Sequence, residues 1–599
     1  MINDFSIQVA TVNGSGSQSS NNILMRSIFQ MGIPVSGKNL FPSNIQGLPT
    51  WFTIRASKEG YIGRKKEIDI MVCMNPETAV EDVKALQPGA VCVYDAPLRL
   101  KNIRSDLIFY EIPFAKLAAA IPDTEARIRK LLANMCYVGV LAELLQIDFA
   151  EVEKAISKQF KGKDKAVKVN VLAYKAGADY AKANLPKADV FRLERMNKTA
   201  GKIIIEGNAA AAIGCLMGGC TVVAWYPITP SSSLVESFIP LARKYRQDPK
   251  TGKATYAIVQ AEDELASIGM VIGAGWAGAR SMTSTSGPGI SLMGEFIGLA
   301  YYAEIPAVIF DVQRVGPSTG LPTRTMQGDL LSAVFASHGD TKHICLLPGS
   351  VQECYEMAVE SFNLSEKFQT PIFVMMDLDL GMNNWMADPF PFPTAPIERG
   401  KVLNAEALEA LKEKGKAFER YRDVDGDGIP YRTLPGTNHP MASYFTRGSG
   451  HNEKAQYSEK PDDYVRNMDR LSKKFDTARN AVPQPIVKGD ASSEVGIIAF
   501  GSTDCPMTEA IDQLESRGVK IEYMRLRAFP FPAKLKEFVA SKKRVYVVEQ
   551  NRDAQMLQLL KLEFAPELVM KLRSVLHYNG LPLDARSVSD EILKQENKL

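Results

Sequence analysis

Between residues 201 and 390 the chain repeats one pattern: a short, continuously apolar run, then a segment long enough for a helix. The runs are TVVAWYPI, ATYAIVQ, RSMTSTS, AVIFDVQR and PIFVMMD. A strand apolar on both sides must be covered on both faces, and strands separated by helices pair in parallel. This predicts a doubly wound, mostly parallel α/β sheet. The same alternation precedes it in SIQVATV, EIDIMVCM, AVCVYD and DLIFYEIP, and follows it in VGIIAFG, VKIEYMRLR and RVYVVEQN. A chain of 599 residues exceeds one core. The pattern divides it into an α/β unit at 1–190, a second at 200–390, a polar connector at 391–485 and a third α/β unit at 486–599. PKADVFRLERMNKTAGK marks the first linker, and DPFPFPTAP breaks the pattern near 387.

Charge and cysteine usage exclude several functions. Lys plus Arg is 71 and Asp plus Glu is 68, a net charge of +3. No global field draws nucleic acid or an anionic membrane. The eight cysteines show no metal-cluster spacing and read as free thiols in a reducing cytoplasm. Any iron–sulfur chemistry must then come from another chain. The start MINDFSIQVATVNGSG lacks the features of a signal peptide. The uncharged stretch 207–228 is long enough to suggest a membrane span. It is rich in Ala, Gly and Cys and runs into Pro227, so it reads as a buried helix followed by a buried strand. Asn208 and Ser231 or Ser232 are the expected helix N-caps.

Ligands of a parallel α/β sheet bind at the carboxyl ends of its strands. After TVVAWYPI comes Thr229, bracketed by Pro227 and Pro230. After ATYAIVQ come Glu262, Asp263 and Glu264, opening a small-residue helix. After RSMTSTS comes Gly287-Pro288-Gly289. After AVIFDVQ come Arg314, the run 316–320 GPSTG, and Arg324. Each has an ordinary reading alone, since acids in a first turn complement the helix dipole and glycines reverse the chain. Together they put a hydroxyl, a carboxylate, a glycine turn and two guanidiniums on one rim suited to an anion.

The residues carry a resemblance. YPITPSS, EDELASIGMVIGAGWAGARSMTSTSGPGISLM and DVQRVGPSTGLPTRTMQGDL closely resemble the alpha chain of 2-oxoacid:ferredoxin oxidoreductases. Residues 1–190 resemble that family's gamma domain, fused ahead of alpha. NGSGSQSSNN and KNLFPSNIQGLPTW are most similar to the large subunit of the 2-oxoglutarate-specific members. The resemblance implies a pyrimidine-binding domain at 200–390 and a transketolase C-terminal-like domain at 486–599. It implies thiamine diphosphate shared with a smaller beta subunit, which carries the diphosphate, Mg²⁺ and a [4Fe–4S] cluster. It further implies coenzyme A and ferredoxin as reaction partners, and an (alpha-gamma)₂ beta₂ assembly.

On that resemblance, Glu264 is the carboxylate that binds the pyrimidine N1′ and favours the tautomer able to deprotonate the thiazolium. Arg314 takes the substrate carboxylate, and Thr229 donates a hydrogen bond to substrate or cofactor. Tyr226, Pro227, Ile228, Ser286 and Gly287 border the cofactor. Arg324 is the candidate for the second carboxylate of 2-oxoglutarate. Asn13, Gly14, Ser15 and Gly16 are candidates for coenzyme A, because a strand-to-helix loop can cradle phosphate through its N–H groups.

Competing readings remain at this stage. The substrate can be pyruvate or a branched-chain oxoacid, or the chain can be a non-catalytic organising subunit. A nucleotide-binding reductase is disfavoured because Ser19 replaces the last glycine of G-x-G-x-x-G. DVDGDGIPYR, with Asp423, Asp425 and Asp427, resembles the start of a Ca²⁺ loop, but its twelfth position is Leu434. Gly426-Asp427-Gly428 with Asn452 mimics a thiamine diphosphate–Mg²⁺ motif, yet no apolar strand precedes it and Glu453 follows Asn452. An acidic turn is the expected outcome, and the five histidines show no ligand spacing.

Overall fold

The predicted alternation folds into three sheets. The structure, a computed structural model, describes all residues except 43–46, 123 and 599. Residues 43–46 of the KNLFPSNIQGLPTW stretch therefore lie outside the described residues.

The second sheet has seven strands in the order Ala528–Phe529, Ile344–Leu346, Pro371–Asp377, Ala307–Gln313, Ser281–Thr285, Val222–Trp225, Ala257–Gln260. All its pairings are parallel except the first, between Ala528–Phe529 and Ile344–Leu346. Its central strands Ser281–Thr285, Ala307–Gln313 and Pro371–Asp377 are buried at every residue. Continuous hydrophobicity therefore encoded two-sided cover. The run TVVAWYPI is strand only at Val222–Trp225, because Pro227 cannot donate to a ladder. The 207–228 stretch is the helix Gly207–Met217 followed by that strand. No described helix is long and apolar enough to cross a membrane.

The first sheet departs from expectation. Ile108–Ile112, Val91–Asp95, Ile70–Cys73 and Asp4–Val12 are parallel. Beyond them, Pro49–Ser57, Val35–Leu40, Asn384–Ala387 and Ile203–Glu206 each run antiparallel to the neighbour before. The hairpin is half-buried and polar in places, so its strands lacked the apolar signature. Its last two strands lie at the two ends of the second unit in sequence, so one sheet crosses from the first unit to the second. A third sheet, Ile486–Gly489, Ile521–Leu526, Val495–Phe500, Arg544–Glu549 and Leu572–Leu576, is parallel apart from its first strand.

One helix cap is corrected. Glu206, not Asn208, is the N-cap of Gly207–Met217. The Asn208 amide donates instead to the Pro230 carbonyl (2.8 Å) and Ser233 Oγ (2.8 Å), bracing the YPITPSS turn from behind. At DVDGDGIPYR an acidic turn forms, with Asp423 accepting from the Gly426, Asp427 and Gly428 N–H groups and an ammonium against two other carboxylates. Lys401 Nζ lies 2.7 Å from Asp425 and 2.8 Å from Asp427 and donates to the Ile429 carbonyl at 3.0 Å. Among the described residues no group of three or more His, Cys, Asp or Glu is arranged to hold a metal. All eight cysteines are buried and free.

The polar connector docks through two buried carboxylates: Glu366, which meets Arg399 (2.9 Å) and Arg432 (3.2 Å), and Glu304. Glu304 ends the helix Gly287–Ala303 and is 1 % exposed. It accepts from Arg470 Nη1 and Nη2 (2.9 and 2.6 Å) and from Lys474 Nζ (2.7 Å), both on the connector helix Pro461–Ala478. Burial alone would raise its pKa, but the two cations hold it well below the usual carboxylate range. Its contribution to stability is therefore present above the unfolded-state carboxylate pKa and is lost as pH falls toward the depressed folded value. Glu304→Gln should cost about 3–5 kcal/mol, since it strands two buried cations. A thermal melt at neutral pH that matches the wild type would contradict this.

Candidate functional site

The rim of the second sheet collects the expected residues. Trp225 ends its strand, the chain turns through Tyr226-Pro227-Ile228, and a cis peptide joins Thr229 to Pro230. Ser231 and Ser232 then donate backbone N–H groups to the Ile228 carbonyl (2.9 and 3.1 Å), and Ser231 is the N-cap of Ser232–Tyr245. With its carbonyls and Asn208 fixed, the turn presents Thr229 rigidly. Arg314 leaves the end of Ala307–Gln313 and donates from Nη1 to the Thr229 carbonyl at 2.8 Å. It is 8 % exposed, and its Nε has no partner. Among the described residues no carboxylate lies within 4.0 Å of its guanidinium.

Glu264 opens the helix Glu264–Trp276 and is 7 % exposed. Asp263 is the N-cap, and its side chain accepts from the Ala266 N–H at 2.7 Å, so Glu264 is not needed for capping. Glu262 is exposed. The three acids thus separate into one cap, one solvated group and one buried carboxylate at the positive end of a helix, where negative charge is favoured.

The glycine turn fits against these groups too closely for any side chain. Ser286 is the N-cap of Gly287–Ala303, and its Oγ is buried without a partner. A Cβ on Gly289 would stand 1.9 Å from Thr285 Oγ1 and 3.0 Å from Glu264 Cγ. One on Gly287 would stand 2.7 Å from both Asp329 carboxyl oxygens.

Arg324 is placed differently. Its Nη1 donates to the Phe41 carbonyl of the first unit (3.1 Å) and to Thr323 (2.9 and 3.1 Å). It stands at the seam between units rather than beside Thr229. In the loop bearing Asn13, Gly14, Ser15 and Gly16, the Asn13 N–H donates to the Leu48 carbonyl at 2.8 Å. Gly14 and Gly16 have φ of 83° and 80°, a region that favours glycine. The Asn134 amide holds the Ser15 carbonyl at 2.8 Å.

Three features at the site escaped the sequence reading. Asp311 is a fully buried carboxyl inside AVIFDVQ, and its signal was a lone acid within an apolar strand. Asp329 faces it from the loop after Arg324. Gln327 in that loop is tied to the third unit: its N–H donates to the Gln550 carbonyl (2.8 Å) and its Oε1 accepts from Thr503 (2.9 Å). Gln550 and Asn551 belong to the VVEQN run, so that run anchors the loop after Arg324.

A buried glutamate at a helix start, a glycine turn pressed against it and a pinned arginine lie on the carboxyl edge of a doubly wound sheet, where such α/β proteins bind their ligands. Residues 213–387 match the family model described as pyruvate flavodoxin/ferredoxin oxidoreductase, thiamine diphosphate-binding. Residues 6–180 match pyruvate ferredoxin/flavodoxin oxidoreductase, and 493–579 match core domain II of pyruvate:ferredoxin oxidoreductase. The chain is 32% identical over 98% of its length, and 97% of the relative's, to 2-oxoacid:ferredoxin oxidoreductase 2, subunit alpha, of Aeropyrum pernix. It is 34% identical, over 58% of its length and 88% of the relative's, to the 2-oxoglutarate synthase subunit KorA of Methanocaldococcus jannaschii. A solved structure of 2-oxoglutarate:ferredoxin oxidoreductase from Magnetococcus marinus, with 2-oxoglutarate, coenzyme A and succinyl-CoA bound, superimposes with a TM-score of 0.89. That match is at 30% identity over 99% of both chains. The chain belongs to the 2-oxoacid:ferredoxin oxidoreductase family, as an alpha-type subunit.

Proposed function

We propose that this chain is the catalytic large subunit of a 2-oxoglutarate:ferredoxin oxidoreductase. Such an enzyme converts 2-oxoglutarate and coenzyme A reversibly to succinyl-CoA, CO₂ and reduced ferredoxin. The observation that carries the reading is Arg314: a nearly buried guanidinium, pinned by the Thr229 carbonyl and free of any carboxylate within 4.0 Å among the described residues. A planar fork held this way suits a carboxylate on a substrate. The choice of 2-oxoglutarate rests on the full-length likeness to the Magnetococcus enzyme.

The residues present fit thiamine diphosphate. Glu264 is a dry carboxylate for the pyrimidine nitrogen, Ser286 has an unpartnered hydroxyl, and the bare glycine turn allows close approach. When bound, the cofactor supplies the carbon nucleophile and the electron sink that decarboxylation needs. Glu264 holds a proton at the pyrimidine N1′. Arg314 orients the carboxylate that departs as CO₂, and the Thr229 hydroxyl donates to the 2-oxo oxygen. Tyr226, Pro227, Ile228 and Gly287 shape the wall. Arg324, whose Nη2 is uncommitted among the described residues, takes the distal carboxylate, and the Asn13–Gly16 loop takes coenzyme A.

A beta subunit completes the site with Mg²⁺ and a [4Fe–4S] cluster in a cytoplasmic (alpha-gamma)₂ beta₂ assembly. Supporting this, the helix Glu264–Trp276 buries one side and exposes Leu265, Met270 and Trp276 on the other, with Leu292 exposed on the next helix. Exposed apolar residues grouped this way suit a protein interface. Turnover of several 2-oxoacids by the assembled enzyme, with coenzyme A and an electron acceptor, tests the reading. kcat/KM should be highest for 2-oxoglutarate by at least about tenfold, because a site built for a second carboxylate rejects substrates lacking it. A preference for pyruvate would overturn the substrate assignment.

A further inference from the structure

Two aspartates without a role in this scheme stand behind the arginine. Asp311, fully buried in the strand Ala307–Gln313, faces the carboxyl of Asp329. Neither Asp311 oxygen, nor Asp329 Oδ2, has any other partner among the described residues. Asp329 is held firmly. Its N–H donates to Gln313 Oε1 (3.0 Å), Gln313 Nε2 is itself bonded to the Met376 carbonyl (3.1 Å), and Gln327 fastens the loop to the third unit. The Asp329 carboxyl abuts the backbone at Gly287, at the start of the helix Gly287–Ala303. Burial lowers the pKa of the Arg314 guanidinium, and the charge of Asp329, beyond 4.0 Å, opposes that.

Two carboxyls side by side away from water do not both ionise. Burial and the neighbouring Asp329 push Asp311 well above the carboxylate range, so it keeps its proton. Burial also raises Asp329, while the hydrogen bond from Asp311 and the charge of Arg314 lower it, so that it stays above the usual carboxylate range but below Asp311. The other titratable group here is the Cys345 thiol, on the strand Ile344–Leu346, which burial and Asp311 push up. Thr285 is opposite Asp311 on the adjoining strand.

We propose that Asp329, braced by Asp311, is the charge-compensating partner of Arg314: its carboxylate balances the guanidinium in the substrate-free enzyme and takes up one proton when a 2-oxoacid carboxylate arrives. This rests on Arg314 being the carboxylate seat. The charges balance. Without substrate, the guanidinium is matched by a pair that shares one proton. With substrate, the added negative charge is offset by one proton from solvent, and the pair becomes neutral. When the carboxylate leaves as neutral CO₂, Asp329 ionises again and restores the counter-charge. Asp329 and Asp311 are thus positioning residues, which set how strongly the seat holds its anion.

The test uses the assembled enzyme and N-oxalylglycine, a 2-oxoglutarate mimic that cannot be decarboxylated. Titration calorimetry in buffers of different ionisation enthalpy should show most of one proton taken up per mimic bound at pH 7.5. Kd should rise with pH, by up to about tenfold per unit, wherever Asp329 is ionised in the free enzyme and protonated in the complex. In Asp329→Asn the proton uptake should vanish, Kd should become flat with pH, and at pH 8 the mimic should bind at least about tenfold more tightly. No uptake by the wild-type enzyme, or uptake that persists in Asp329→Asn, overturns the proposal. Should the asparagine variant fail to fold, the wild-type proton count decides alone. Arg314→Gln separates the two layers. Undiminished binding there overturns the seat and the proposal together, whereas lost binding there alongside no wild-type proton uptake overturns only the role of Asp329.

Discussion

In the Glu264→Gln enzyme, decarboxylation should fall by at least about two orders of magnitude while the subunits still assemble. Glutamine has the same shape, so the contact with Gly289 survives, and Asp263 continues to cap the helix. What is lost is a carboxylate that can hold a proton at a ring nitrogen. Single-turnover decarboxylation, read beside cofactor binding and the melting temperature, isolates the effect. An unchanged rate would mean that Glu264 only starts a helix and that the chain organises a catalyst located elsewhere.

Arg314→Gln should lower kcat/KM for the 2-oxoacid roughly 10²-fold or more, about 3 kcal/mol. The anion would then enter a site without its fixed counter-charge. Lysine should not restore the loss, because a point charge cannot reproduce two parallel N–H donors. The change should appear in KM for the oxoacid, while KM for coenzyme A, which we propose binds at the first unit, should move little. Equal losses toward both substrates would point to collapse of the Thr229 turn, whose carbonyl Arg314 holds at 2.8 Å.

The sequence made the second and third units legible because their central strands are buried on both faces. AVIFDVQ and PIFVMMD carry that signature without interruption, and both strands are buried throughout. The first unit was less legible. The hairpin of Val35–Leu40 and Pro49–Ser57 is stabilised by antiparallel pairing and by contacts with a distant segment, among them Lys38 with Asp379 at 2.6 Å. A local pattern cannot reveal such long-range partners. The rim residues were readable from strand ends because topology alone places strand ends together. The direction of a side chain was not. The sequence put Arg314 and Arg324 on one rim, yet one is pinned to Thr229 and the other to Phe41. The Asp311–Asp329 pair was invisible for the same reason, since nothing local joins two residues eighteen positions apart across a loop.

The central claim is that a dry carboxylate on this chain serves a pyrimidine ring held between two subunits. The most direct measurement is a density map of the purified complex with thiamine diphosphate bound. The account predicts the Glu264 carboxylate within hydrogen-bond reach, about 2.6–3.2 Å, of a pyrimidine nitrogen, with the exposed side of Glu264–Trp276 covered by a second chain. A Glu264 side chain turned to solvent, with the ring bound elsewhere, would contradict it.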